Sequence, residues 1–235
     1  MIPWLADNVP FPPVEHALKS PNGLLAAGGG LSESRLLEAY RNGVFPWFNP
    51  GEPILWWSPD PRMVLIPREL RISRSFAKAL RNNVLEVRCD TAFEQVMRGC
   101  AAPRIKDRVA QPGTWIGEDM IEAYCLLHRH GYTHSVETWL DGKLVGGLYG
   151  VSIGRMFCGE SMFSAVSNAS KIALAYLARQ LERWEFGMID CQMSTPHLVS
   201  LGAREIPRSE FTASLQELIH YASVTDWKFA PDLFT

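Results

Sequence analysis

Two rhythms of apolar and polar positions run along the chain. Apolar residues three and four apart predict helices, and short apolar or alternating runs between turn residues predict strands. The first helix opens at Ser32, an N-cap, carries Leu36, Leu37, Ala39 and Tyr40 inward, and stops at Gly43. A second spans 72–82 with Ile72, Phe76, Ala79 and Leu80 towards the core. A strand at 85–89 and a short helix at 92–100 follow. The helix at 118–130 shows Met120, Ile121, Ala123, Tyr124 and Leu127 on one face and ends at Gly131. Three strands come next: 133–140, a turn at Asp141-Gly142, 143–149, a turn at 150–154, and 155–159. Asn168 caps a helix at 169–184 that Gly187 ends. A strand at 188–192, a short helix at 196–201 stopped by Gly202, and a last helix at 210–221 complete the pattern.

Residues 1–62 read differently. Pro and Gly punctuate 1–30, ending in Gly28-Gly29-Gly30, and 44–62 place Trp47, Trp56, Trp57, Phe45 and Phe48 among prolines. Regular helix is excluded over most of 44–62. Residues 63–66 read as a strand, so a boundary falls near Arg62, with a small N-terminal domain at 1–62 and a larger domain at 63–235. Helices and strands interleaved in this way predict a mixed α/β (α+β) fold, helices covering a sheet. The loop at 101–113, rich in Pro and charge, is expected to be exposed.

Composition adds limits. The 235 residues, 47% hydrophobic and 20% charged, suffice for a substantial core and argue against disorder. No apolar run is long enough to span a bilayer, and the N-terminus lacks the basic and apolar regions of a secretory signal. Five cysteines without a CxxC pair predict reduced thiols and a cytoplasmic location. The net charge of −2 hides a local excess: Arg62, Arg68, Arg71, Arg74, Lys78 and Arg81 stand against Glu69 alone. Such a stretch is either a solvated face or a surface for a polyanion.

The chemistry concentrates between Phe157 and Gln192. Glu160, Asp190 and Gln192 lie in otherwise apolar, strand-like surroundings, where unpartnered acids are costly and perturbed ones mark active sites. Other patterns are weaker. Gly150-Val151-Ser152-Ile153-Gly154 followed by Asp190 and His197 mimics a hydrolase triad, but the chain after Gly154 reads as strand where that elbow requires helix. His128, His130 and His134 have no recognised metal spacing. The glycine triplet lacks the Lys-Ser/Thr of a P-loop. Cys191 adjoins Asp190, whose charge opposes a thiolate, so it reads as a packing residue.

Taken in order, the motifs carry a resemblance. They are Pro-Asn-Gly-Leu-Leu-Ala from Pro21, Gly-Val-Phe-Pro-Trp-Phe from Gly43, Trp-Trp-Ser-Pro-Asp-Pro-Arg from Trp56 and Gly-Thr-Trp-Ile from Gly113. Then come His-Ser-Val-Glu from His134, Leu-Val-Gly-Gly-Leu-Tyr-Gly from Leu144, Phe-Cys-Gly-Glu-Ser-Met-Phe-Ser from Phe157, Asn-Ala-Ser-Lys from Asn168 and Ile-Asp-Cys-Gln from Ile189. Together they resemble the bacterial leucyl/phenylalanyl-tRNA–protein transferases over residues 11–211. Two departures are Gly30, where Asp is expected, and the length of the 101–113 loop.

The resemblance implies a GNAT-like (acetyltransferase-like) second domain with a central, mostly antiparallel sheet. It implies transfer of Leu or Phe, and less readily Met, from aminoacyl-tRNA to the α-amine of an N-terminal Lys or Arg, marking that protein for degradation. No cofactor or metal is implied. Asp190, Gln192 and Glu160 become the catalytic group, with Asp190 orienting Gln192. Leu148, Phe157, Leu174, Leu177 and Leu181 become candidates for the acyl pocket. Trp47, Trp115 and Tyr124 become candidates around the terminal adenosine, and Arg68, Arg71, Arg74, Lys78 and Arg81 candidates for the tRNA acceptor stem. A non-catalytic tRNA-binding adaptor and a charged-tRNA-dependent peptide transferase are the rival readings.

Overall fold

A computed structural model describes residues 2–103 and 115–234, with the backbone of 105–106 and 109–110 between them. The N-terminal part contains β1 (Trp4–Leu5), β2 (Leu24–Gly28), α1 (Glu33–Arg41), β3 (Phe45–Pro46) and β4 (Leu55–Trp57). The chain continues through β5 (Arg62–Leu65), α2 (Arg74–Arg81), β6 (Glu86–Cys89), α3 (Phe93–Ala101), β7 (Ile105–Lys106), β8 (Val109–Ala110) and α4 (Glu118–Arg129). Then follow β9 (Thr133–Leu140), β10 (Lys143–Ile153), β11 (Met156–Ser164), α5 (Ala169–Arg183), β12 (Met188–Gln192), α6 (Pro196–Ser200), β13 (Arg204–Ile206) and α7 (Arg208–Leu218).

β1, β2, β4 and β3 form a four-stranded sheet, and β13, β5, β12, β11, β10, β9 and β6 a seven-stranded one, each in that order. Within the larger sheet only β11 and β12 run parallel, joined by α5 as the crossover that a parallel pair requires. This is the mixed α/β class expected.

β10 separates two cores. A side chain on Gly146 would strike Ala169 of α5, whereas one on Gly147 would stand 3.2 Å from Val96 of α3, so the two helices lie on opposite faces. Leu148, Phe157 and Ile189 join the α5 core with Leu174, Leu177 and Leu181. Tyr149, Cys158 and Val64 join the other core, shared with α3, α4 and the aromatic residues of the N-terminal sheet.

Local chemistry explains most element ends. Ser32 and Ser73 accept the backbone N–H of Arg35 and Phe76 at 3.3 and 3.2 Å, capping α1 and α2. The cap at Ser73 starts α2 two residues later than the periodicity suggests and leaves Ile72 outside it. Three expectations at turns and caps change. β10 runs through Gly150 and Ser152 to Ile153, and the turn is Gly154-Arg155. Gly150 sits in the strand because a side chain would drive into the Cys158 carbonyl oxygen and lie 2.6 Å from the Phe157 ring. Asn168 adopts φ 65 and its carbonyl accepts the Ile172 N–H at 2.9 Å, but its side chain makes no capping bond; Ser164 accepts the Ser170 N–H at 3.0 Å instead. α5 ends in Trp184 and Glu185, the latter at φ 60, before Gly187 is reached. The loop expected at 101–113 lies mostly outside the described residues, although β7 and β8 pair antiparallel within it.

Candidate active site

Two irregularities in neighbouring strands build the site. Across β10 and β11, Tyr149 pairs with Ser161 but Gly150 pairs with Gly159, so Glu160 is the extra residue of a bulge. Across β12 and β5, Asp190 pairs with Val64 but Gln192 with Met63, so Cys191 is extra. The Met193 N–H bonds the Cys191 carbonyl at 2.7 Å around Gln192, which sits at φ 62. This three-residue turn is a strained arrangement for a residue with a side chain. β11 and β12 pair only as far as Cys158 and Asp190. Beyond that point the gap is bridged by side chains: Gln192 Nε2 donates to Glu160 Oε1 at 2.9 Å.

Asp190 is buried and fully engaged. Arg62 Nε and Nη2 donate to its two oxygens at 2.8 and 2.6 Å, and the Gln192 backbone N–H donates to Oδ1 at 2.9 Å. On the other side, Tyr124 donates to Glu160 Oε2 at 3.4 Å, and the hydroxyls of Tyr124 and Tyr40 bond each other. One network thus runs from β5 through β12 and β11 to α4 and α1. Burial is the main cause that pushes the Glu160 carboxyl up to about 8, with Asp190 adding to the rise and the tyrosine hydrogen bonds and Arg62 opposing it. Burial, then the charge of Glu160, raises the pKa of both tyrosines, so they remain hydrogen-bond donors. The Cys191 thiol is pushed up by burial first and Asp190 second, and stays protonated.

A profile of the family described as leucyl/phenylalanyl-tRNA protein transferase matches residues 64–216, and its N-terminal-domain profile matches 29–60. The chain belongs to this family. Curated proteins named leucyl/phenylalanyl-tRNA–protein transferase are close to it. That of Nitrosospira multiformis is 65% identical over 221 residues, 94% of each chain. That of Thiobacillus denitrificans is 66% identical over 210 residues, 89% of this chain and 90% of its own. Among solved structures, L-PGS from Bacillus licheniformis overlaps with a TM-score of 0.38 at 10% identity, covering 70% of this chain and 52% of that one. A GCN5-related N-acetyltransferase from Kribbella flavida does so at 0.34 and 9%, covering 74% and 60%.

Within this family member, the three residues singled out as catalytic are brought together, but their division of labour differs from the expectation. Asp190 holds the backbone of Gln192; Glu160, not Asp190, orients its amide. Leu148, Phe157, Leu174, Leu177 and Leu181 are all buried on the α5 face, opposite the face of Asp190. Tyr124 is 0% exposed, so its ring cannot stack on a base, and its hydroxyl serves Glu160 instead. Trp47 is exposed and packs at 5.5 Å against Trp57; Trp115 is half-buried.

Arg68, Arg71, Arg74, Lys78 and Arg81 are all exposed, and among the described residues none of them forms an ion pair. Glu69, the acid among them, pairs with Arg204. Arg62 leaves the basic face altogether: it is 1% exposed and bound to Asp190. Arg62 is the residue that the sequence reading missed. The signal was an arginine opening an apolar strand, which needs a buried partner.

The rival motifs resolve into local structure. Ser152 is a buried strand residue with no helix after it, and Asp190 faces Arg62 rather than a histidine. His128 bonds the Thr133 carbonyl, His130 meets Glu33, and His134 meets Asp90 while stacking on Trp227 at 3.6 Å. A surface groove of about 560 Å³ lined by Asp90, Glu94, Arg98, Cys125 and Arg129 shares no residue with the catalytic group.

Proposed function

We propose that the protein transfers Leu or Phe, and less readily Met, from aminoacyl-tRNA to the α-amine of an N-terminal Lys or Arg, in the cytoplasm and as a monomer. The product is a protein marked for degradation. The carrying observation is the Gln192 amide, whose Nε2 is committed to Glu160 so that Oε1 is turned to accept a hydrogen from the incoming amine.

The chemistry asks little of a base. The aminoacyl ester is already activated, and an α-amine with a pKa of about 7.7–8.0 is partly neutral at pH 7. Gln192 positions the amine nitrogen on the ester carbonyl. The carbon–nitrogen bond forms, the bond between the acyl carbon and the ribose oxygen breaks, and the amine's proton passes to that departing ribose oxygen. An amide is too weak a base to hold that proton, so Gln192 acts by orientation. Glu160, neutral below about pH 8, keeps the amide aligned.

The acyl side chain enters where β11 and β12 diverge and meets Leu148, Phe157, Leu174, Leu177 and Leu181. Trp47 and Trp115 flank the terminal adenosine, and the five exposed cations of the 68–81 stretch meet phosphates of the acceptor stem. Residues 1–62 form the small domain and 63–235 the catalytic one, with Arg62 joining them.

The test is transfer of radiolabelled Leu or Phe from purified charged tRNA to an Arg-starting peptide. Wild-type protein transfers and Asp190→Ala does not. Binding of charged tRNA without transfer would refute this reading in favour of a tRNA-binding adaptor.

A further inference from the structure

Arg62 is 1% exposed and so out of reach of substrates, yet through Asp190 it is bonded to the strained turn at Gln192. Its fork spans both oxygens of Asp190, at 2.8 and 2.6 Å. The oxygen that accepts Arg62 Nε also accepts the Gln192 N–H at 2.9 Å. Arg62 is itself packed against two rings, with the Phe45 ring of β3 4.8 Å and the Phe211 ring of α7 4.5 Å from its guanidinium carbon. A planar guanidinium packed against two rings and bonded by two donors to one carboxylate has little freedom to reorient. The carboxylate is thereby locked in the rotation that receives the backbone N–H. That bond anchors the Gln192 N–H inside the turn that the Met193–Cys191 hydrogen bond closes, and so ties the φ 62 conformation in this bulged strand to the orientation of the carboxylate.

We propose that Arg62 is a positioning residue for aminoacyl transfer: acting through Asp190, it fixes the backbone turn that aims the Gln192 amide. This rests on the transfer reading above. It also links the aromatic layer of the N-terminal sheet to the catalytic strand, because Phe45 and Asp190 grip the same guanidinium.

Arg62→Lys tests it. Lysine keeps the charge opposite Asp190 but cannot span both oxygens, so the carboxylate gains rotational freedom. The expected result is a kcat lowered about 10- to 100-fold, the scale of a small misplacement of reacting groups, with KM for charged tRNA and for the acceptor peptide changed less than about threefold. In a Gln192→Ala background the same change should lower kcat less than about twofold, because the residue it positions is gone. A merely structural role would give equal losses in both backgrounds. Asp190→Glu, which keeps the charge pair but displaces the oxygen under the Gln192 N–H, is the second variant and should reproduce the kcat loss.

Wild-type kcat in Arg62→Lys, a loss confined to KM, or equal losses in the two backgrounds overturns the proposal while leaving the transfer reading intact. Failure of both Arg62→Lys and Asp190→Glu to fold assigns Arg62 to stability and likewise overturns it. A wild-type protein that transfers nothing refutes the transfer reading and this proposal with it.

Discussion

Glu160→Gln isolates the cost of holding an acid in the bulge of β11. The folded protein keeps the Glu160 proton up to about pH 8, whereas an unfolded chain releases it near 4.5. Between those values the folded state binds more protons than the unfolded one, so stability falls as pH rises through the window, and the loss is complete above about pH 8. A gap of about 3.5 units at roughly 1.4 kcal/mol each sets a ceiling of about 5 kcal/mol. Water reaches the half-buried residue, which lowers the expectation to about 2–3 kcal/mol. Glutamine has nearly the same shape, can still accept from Gln192, and does not titrate. Urea unfolding of both proteins from pH 5 to 9, followed by tryptophan fluorescence, measures the effect. The variant should gain about 2–3 kcal/mol relative to wild type as pH rises, and other titrating groups cancel in the difference. A difference that stays constant across this range would refute the assignment of a raised pKa to Glu160.

Three further expectations follow from the same geometry. Arg62→Met should cost about 3–5 kcal/mol by stranding a buried carboxylate, and adding Asp190→Leu should recover most of that loss; simple addition of the two single losses in denaturant midpoints would exclude a coupled pair. Reversing both Arg74 and Lys78 to Glu should weaken use of charged tRNA and flatten the log–log salt slope by about two, and an unchanged KM would remove these residues from the binding surface. Gly150→Ala should cost about 1–3 kcal/mol through overpacking against Cys158 and Phe157, read as a fall in Tm of roughly 2–4 °C per kcal/mol.

Where a local signal sets the outcome, the sequence was readable. Ser32, Ser73 and the Asp141-Gly142 turn each act within a few residues, and β9 and β12 span the bounds read for them from the glycines and turns on either side. Gly150 misled because its reason is not conformational: it makes room for Phe157 on the next strand, an approach visible only after pairing. The Asn168 cap failed for a related reason, since the hydroxyl that does the work, Ser164, sits on the preceding strand. In the site, the residues were legible but their connections were not. The resemblance implied that Asp190 serves the Gln192 side chain, whereas a bulge turns that side chain towards Glu160 and leaves Asp190 the backbone. Tyr124 looked available for stacking because helical periodicity shows which face is apolar, not how deeply it is covered.

The pair between Arg62 and Asp190 joins positions 128 residues apart, and that separation has a kinetic meaning. Contacts so distant in sequence close late, after the loop between them has lost its freedom. During synthesis, the N-terminal aromatic layer and most of the large sheet can emerge and fold while the carboxylate is still missing. β12 must then dock on β11 and bring in β5, whose neighbours in the sheet are β12 and β13. Reactivity towards a charged ester is therefore conferred in one of the last events of folding, and a nascent chain that has not yet received β12 has no amide to aim.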